Sequence, residues 1–214
     1  MAASRTHTTN AGGSSSALGT LSGADPEPGS AAQRERRRRI LDATLQLAAK
    51  GGYDAVQMRA VAERAEVALG TLYRYFPSKI HLLVSALARE LERIQEKLDR
   101  TPIPGDTAYD RMLVVLGRVT RSMQREPLIT EAMTRAFMFA DPSAATEVNA
   151  VARLMEEMFT RAMHAEGEPS ADDRATARVI GDVWLSNLVA WVTRRASAND
   201  VINHLELAAR LLLR

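Results

Sequence analysis

Cationic and hydroxyl-bearing aromatic side chains crowd one short stretch, "LYRYFPSK", which contains Tyr73, Arg74, Tyr75, Phe76 and Lys79. The whole chain holds only four Phe, four Tyr and two Trp, so the concentration is not background. Ammonium, guanidinium and phenol groups side by side are suited to phosphate oxygens and base edges. A second basic cluster, "RERRRR", sets Arg34, Arg36, Arg37, Arg38 and Arg39 around a single Glu35. Taken alone, that run also reads as a solvated helix start. Residue types for covalent or metal chemistry are missing or scattered. There is no cysteine, which excludes thiol nucleophiles, disulfides and thiolate zinc sites. His7, His81, His164 and His204 stand apart, without Asp or Glu at metal-ligand spacing. No nucleophile elbow, phosphate-binding glycine loop or dinucleotide fingerprint occurs. Neither an enzyme, a metal site nor a cofactor is expected.

These side chains need a scaffold, and 214 residues of which 46% are hydrophobic can fill the core of one ordinary domain or two small ones. The net charge of +2 is small, so an anionic partner must be met by local clustering of charge. No apolar run approaches the roughly 20 residues of a membrane span, and no signal-peptide core opens the chain. A cytoplasmic protein with no membrane partner is expected.

Residues 1–32 are rich in Ala, Ser, Thr, Gly and Pro, show no apolar period, and read as a flexible tail. From Gln33 onward the apolar pattern is helical almost throughout, which predicts an all-α fold of about nine helices. "KGGY" stops the first helix. Ser78 caps a long one whose stripe is Ile80, Leu83, Leu87, Leu91, Ile94 and Leu98. Further starts are expected at Asp106, at Pro127 in a first turn, at Asp141, at Ser170 with Asp173 as a capping box, and at Ser197.

Residues 58–75, "MRAVAERAEVALGTLYRY", satisfy the packing demands of a helix-turn-helix. Ala62 is small where two crossing helices approach, and Val61, Ala65, Val67 and Leu72 face inward. The turn falls on Glu66, where a positive φ costs a non-glycine residue about 1 kcal/mol. The second helix, about Ala68 to Arg74, then turns Thr71, Tyr73 and Arg74 outward as a recognition helix does.

This motif, continued by Leu-Tyr-x-Tyr-Phe-Pro-Ser-Lys, resembles the TetR family of bacterial repressors, whose helix order matches the chain from about residue 33 to 213. The resemblance implies a DNA-binding domain at 33–79 and a ligand-binding and dimerisation domain at 80–214. It implies a homodimer on double-stranded operator DNA with an inverted repeat. Tyr73 becomes the recognition-helix tyrosine and Lys79 the phosphate-clamping lysine, with Arg59 presented to the groove. Tyr75 and Phe76 become wedges between the DNA-binding unit and the fourth helix, and Arg36 and Arg38 belong to a basic arm on phosphate or minor groove. Three further segments, "AKGGYDAVQMRAVAERA", "LITEAMTRAFMFADPSAA" and "VIGDVWLSNLVAWVTRRAS", resemble the branch of the family that represses cholesterol catabolism in actinobacteria. That likeness implies a steroid acyl-CoA thioester as inducer.

Met112, Met133, Phe137, Met155, Phe159 and Trp184 offer an adaptable apolar lining for a rigid polycycle, and each also fits plain core packing. Asn187 is a candidate contact for a ring ketone or, equally, a helix–helix hydrogen bond. Arg118, Arg121 and Arg125 recur along one helix as candidates for the nucleotide phosphates or as solvated charges. Ile180, Leu188 and Trp191, with Leu205, Ala208 and Leu212, form the apolar faces of the last two helices, which the resemblance pairs across a two-fold axis. The competing reading is a multidrug-efflux repressor sensing hydrophobic cations, which calls for buried carboxylates, with Glu131, Glu156 and Glu157 as candidates.

Overall fold

In the computed structural model, which describes residues 31–164 and 167–213, nine α-helices and one 3-10 turn account for all the regular structure of those residues. The expected tail lies outside the described residues, except that Ala31 and Ala32 already belong to the first helix.

The first helix, α1 (Ala31–Ala55), buries Ile40, Leu41, Ala43, Thr44 and Ala48 on one face, and its regular course is broken at Gly51 and Gly52. Gly52 takes φ 62°, a conformation that favours glycine. A Cβ there would stand 2.7 Å from the Glu131 carboxylate, so the close approach also needs glycine. Two short helices come next, α2 (Met58–Arg64) and α3 (Leu69–Tyr75).

Ser78 caps α4 (Lys79–Asp99), its hydroxyl accepting the N–H groups of Ile80 and His81. The expected single stripe on α4 is too narrow. Every residue from His81 to Ala88 is buried, because α1, α6 and α7 all pack around these turns. Each fully buried leucine here, such as Leu82, Leu83 and Leu91, contributes about 1.5–3 kcal/mol relative to exposure.

Beyond it, α5 (Ala108–Gln124) is capped by Thr107 rather than by Asp106. The reason is reciprocity. The Thr107 hydroxyl accepts from the Asp110 N–H while the Asp110 carboxylate accepts from the Thr107 N–H, an exchange that needs an acid three residues on. Pro127 opens α6 (Pro127–Met138) as expected. Asp141 caps a 3-10 turn (Pro142–Ala144), and α7 (Ala145–Met163) starts only after it. The last helices, α8 (Ala171–Val192) and α9 (Ala198–Leu212), carry the Ser170–Asp173 and Ser197–Asp200 capping boxes. Helix α6 packs on α1 and α4, α7 on α4 and α8, and α9 on α5 and α8. Among the described residues no helix is long and apolar enough to cross a membrane.

Candidate nucleic-acid interface and ligand cleft

Helices α2 and α3 pack together, the Ala62 carbonyl accepts the Val67 N–H at 3.0 Å, and Val61, Ala62, Ala65 and Leu72 are buried. Glu66 adopts φ 54° in the turn. This leaves an outward face on α3. Tyr73 is 46% exposed and Arg74 is exposed beside it, while Thr71 is half-buried. Among the described residues, nothing lies within 4 Å of where a side chain at Gly70 would begin. Arg59 is exposed on α2. Phe76 is fully buried and Tyr75 half-buried.

Lys79, the first residue of α4, is half-buried, and its ammonium lies 3.8 Å from the centre of the Tyr53 ring. Burial lowers the pKa of this ammonium and the nearby Arg135 adds to that, while Asp54 and Glu131 oppose it. The Arg135 guanidinium sits over the same ring at 4.5 Å.

The basic arm on α1 divides. Arg36 is half-buried, and Arg37 lies over the Phe76 ring at 5.6 Å. Arg38, expected on the DNA side, instead pairs with Glu35 at 2.6 Å and with Asp42 at 3.0 Å. Asp42 also meets Arg89 of α4 at 2.9 Å, which joins the exposed Arg38 to an ion-pair network between α1 and α4. Arg39 faces Glu66 at 3.8 Å.

A cleft of about 260 Å³ opens between α4, α6, α7 and α8. Leu87, Thr134, Phe137, Met155, Trp184 and Leu188 contribute to its walls, and Glu156, Arg178 and Asp182 also line it. Of the expected lining, Phe137, Met155 and Trp184 are in place. Met112, Met133 and Phe159 are instead fully buried in the core, outside the cleft wall. Asn187 also stands outside it: its amide donates to the Val183 carbonyl at 2.8 Å, and its Oδ1 meets His204 Nδ1 of α9 at 3.0 Å. The helix–helix role therefore takes this residue.

Arg121 is displaced from its expected position too. Its guanidinium packs against Gly117 in a groove between α5 and α9, beside Ile202 and Glu206. Arg118 and Arg125 likewise do not line the cleft, where the arginine is Arg178. Nothing in the apolar spacing of α8 marks Arg178, since its neighbours Val179 and Asp182 break the pattern. Of the three carboxylates that a cation sensor would need, Glu131 accepts the Tyr53 N–H and Glu157 accepts from Gln95. Glu156 reaches the cleft, where Arg174 approaches it at 3.9 Å.

The last two helices need a similar correction. Ile180 and Leu188 of α8 and Leu205 of α9 are buried within the subunit's own core, where α8 packs on α7 and α9, and α9 packs on α5 and α8. Trp191 is half-buried and Leu212 is 40% exposed. The apolar side chains left open are Val179, Ile202, Leu207, Leu211 and Leu212.

Residues 40–86 match the model for bacterial regulatory proteins of the tetR family, and residues 105–212 the model for a tetracyclin repressor-like C-terminal domain. The chain is 66% identical over 189 residues to the HTH-type transcriptional repressor KstR of Mycolicibacterium smegmatis, covering 88% of this chain and 92% of that one. It is 62% identical over 206 residues to KstR of Rhodococcus jostii, covering 96% of each. Among solved structures, a TetR transcriptional regulator from Rhodococcus sp. RHA1 superposes with a TM-score of 0.79 at 31% identity, covering 85% of this chain and 97% of that one.

Proposed function

The chain belongs to the TetR family of bacterial regulatory proteins, and from that premise we propose that it is a dimeric repressor of sterol-catabolism genes, released from its operator by a steroid acyl-CoA. It is a DNA-binding transcriptional regulator, not an enzyme. Residues 33–79 bind an inverted-repeat operator in the cytoplasm, and residues 80–214 hold the inducer and the dimer contact. Tyr73, Arg74, Thr71 and Arg59 meet the groove, and Lys79 and Arg36 meet phosphate. The exposed apolar side chains of α8 and α9 pair across the two-fold axis.

The observation that carries the inducer reading is the cleft itself, an apolar wall of Leu87, Phe137, Met155 and Trp184 with Arg178 beside it. Apolar walls suit fused rings, and an arginine suits the charged part of a thioester's nucleotide. At about 260 Å³ the cleft falls below the roughly 300–1,000 Å³ of pockets that enclose ligands of this size. A four-ring ligand that spreads α6, α7 and α8 as it enters would have the differential affinity a switch requires. Tenfold weaker operator binding takes about 1.4 kcal/mol of coupling.

The test is a titration of a preformed operator complex with a steroid acyl-CoA, the free steroid acid, a straight-chain acyl-CoA and a hydrophobic cation. Release by the steroid thioester far ahead of the others is the expected outcome. Equal release by the straight-chain thioester removes the sterol assignment, and release by the cation alone favours an efflux repressor, with Glu156 and Asp182 as the carboxylates.

A further inference from the structure

The "GGY" that ends the regular part of α1 does more than stop a helix. At Gly52 the chain turns, and the next backbone N–H, that of Tyr53, donates to the Glu131 carboxylate of α6 at 3.0 Å. The Tyr53 ring then receives two cations. Lys79 of α4 lies 3.8 Å from its centre and Arg135 of α6 4.5 Å. Arg135 has carboxylates nearby, Asp54 at 3.7 Å and Glu131 at 3.8 Å. Lys79 forms no such ion pair among the described residues; its close partner is the ring. The distinction is chemical. A carboxylate would neutralise the ammonium that a phosphate needs, whereas an aromatic face attracts the cation and leaves its charge intact. It also restrains a side chain that otherwise has rotamer entropy to lose on binding.

We propose that Tyr53 is a positioning residue for the Lys79 phosphate contact, its ring face holding the ammonium at the start of α4 while α6 holds the residue through Glu131 at its backbone N–H and Arg135 over its ring. The inference rests on the reading that Lys79 meets operator phosphate. A ring serving only as core filler would need neither cation, although Tyr53 does pack against the core.

The experiment uses the full chain and a duplex selected by the unmodified protein from a randomised library. In the free protein, the ε-methylene protons of Lys79 should resonate upfield of ordinary lysines under the Tyr53 ring current and return to the usual position in Tyr53→Leu. An ordinary shift in the unmodified protein overturns the stacking, whether or not any variant folds. Operator affinity across salt concentrations supplies the second reading. Tyr53→Phe keeps the ring and should stay within about twofold of wild type, while Tyr53→Leu should bind about fivefold more weakly, or about 1 kcal/mol. In a Lys79→Ala background, Tyr53→Leu should have no further effect. The same fivefold loss in that background would make Tyr53 merely structural and leave the phosphate reading standing. Unchanged affinity and salt slope in Lys79→Ala itself would bring down both.

Discussion

Trp184 of α8 donates its indole N–H to the hydroxyl of Thr120 on α5 at 3.2 Å, and both residues are buried. The bond fixes one wall of the cleft from behind. Thr120→Val should destabilise the fold by about 1 kcal/mol, since it strands a buried donor. The same change in a Trp184→Phe background should cost close to nothing, because the donor is already gone. Urea unfolding of the four proteins measures this, and additive losses would mean that the bond contributes nothing.

Glu66 occupies a left-handed turn at φ 54°, and its ion pair with Arg39 is long and mostly exposed. Relief of the strain should therefore outweigh loss of the pair. Glu66→Gly is expected to raise unfolding stability by about 0.5–1 kcal/mol. A decrease in urea midpoint would show that the Arg39 contact dominates.

The burial pattern of α8 and α9 separates folding from assembly. Glutamate at both Leu211 and Leu212, which are 55% and 40% exposed, should yield a folded monomer by sedimentation at micromolar concentration. Leu205→Glu, by contrast, buries a charge and should unfold the subunit, a loss of several kcal/mol. A dimer that survives the double glutamate variant would move the interface elsewhere.

Acid should weaken the second domain through its helix starts. Hydrogen bonds from the Thr107, Ser170 and Ser197 side chains hold the carboxyl pKa values of Asp110, Asp173 and Asp200 below the usual aspartate value. A depressed folded pKa means that the stabilisation is complete above the unfolded value of about 3.9 and is lost as pH falls through the folded values. Thermal unfolding at pH 6 and pH 3 should show the loss. The triple Asp→Asn variant should lose less between the two pH values than the wild type.

Helix number, the helix-turn-helix and most caps were legible in the chain because each depends on local chemistry. Ser78, Ser170 and Ser197 are caps by residue type and by their place just ahead of an apolar-periodic run. The cleft was legible only in part. Periodicity identifies inward residues, but Met133 and Met155 are both inward, and only the packing of four helices decides that Met155 faces a void while Met133 faces other side chains. Arg178 carries no sequence signal for the same reason, since a charged residue on a solvated face acquires a role only from the helix opposite. Leu205 and Leu212 share one stripe of α9, yet the first turns into the subunit and the second out of it near the helix end.

Thr134 and Arg135 are consecutive residues of α6, one in the cleft wall and the other over Tyr53. Under the proposed function, any factor by which an occupant of the cleft weakens operator binding is also the factor by which operator binding weakens the occupant. Dimers on DNA then have a lower affinity for inducer than dimers free in solution. The free pool fills first and acts as a sponge, so the onset of transcription depends on how many repressor molecules the cell holds in excess of its operators.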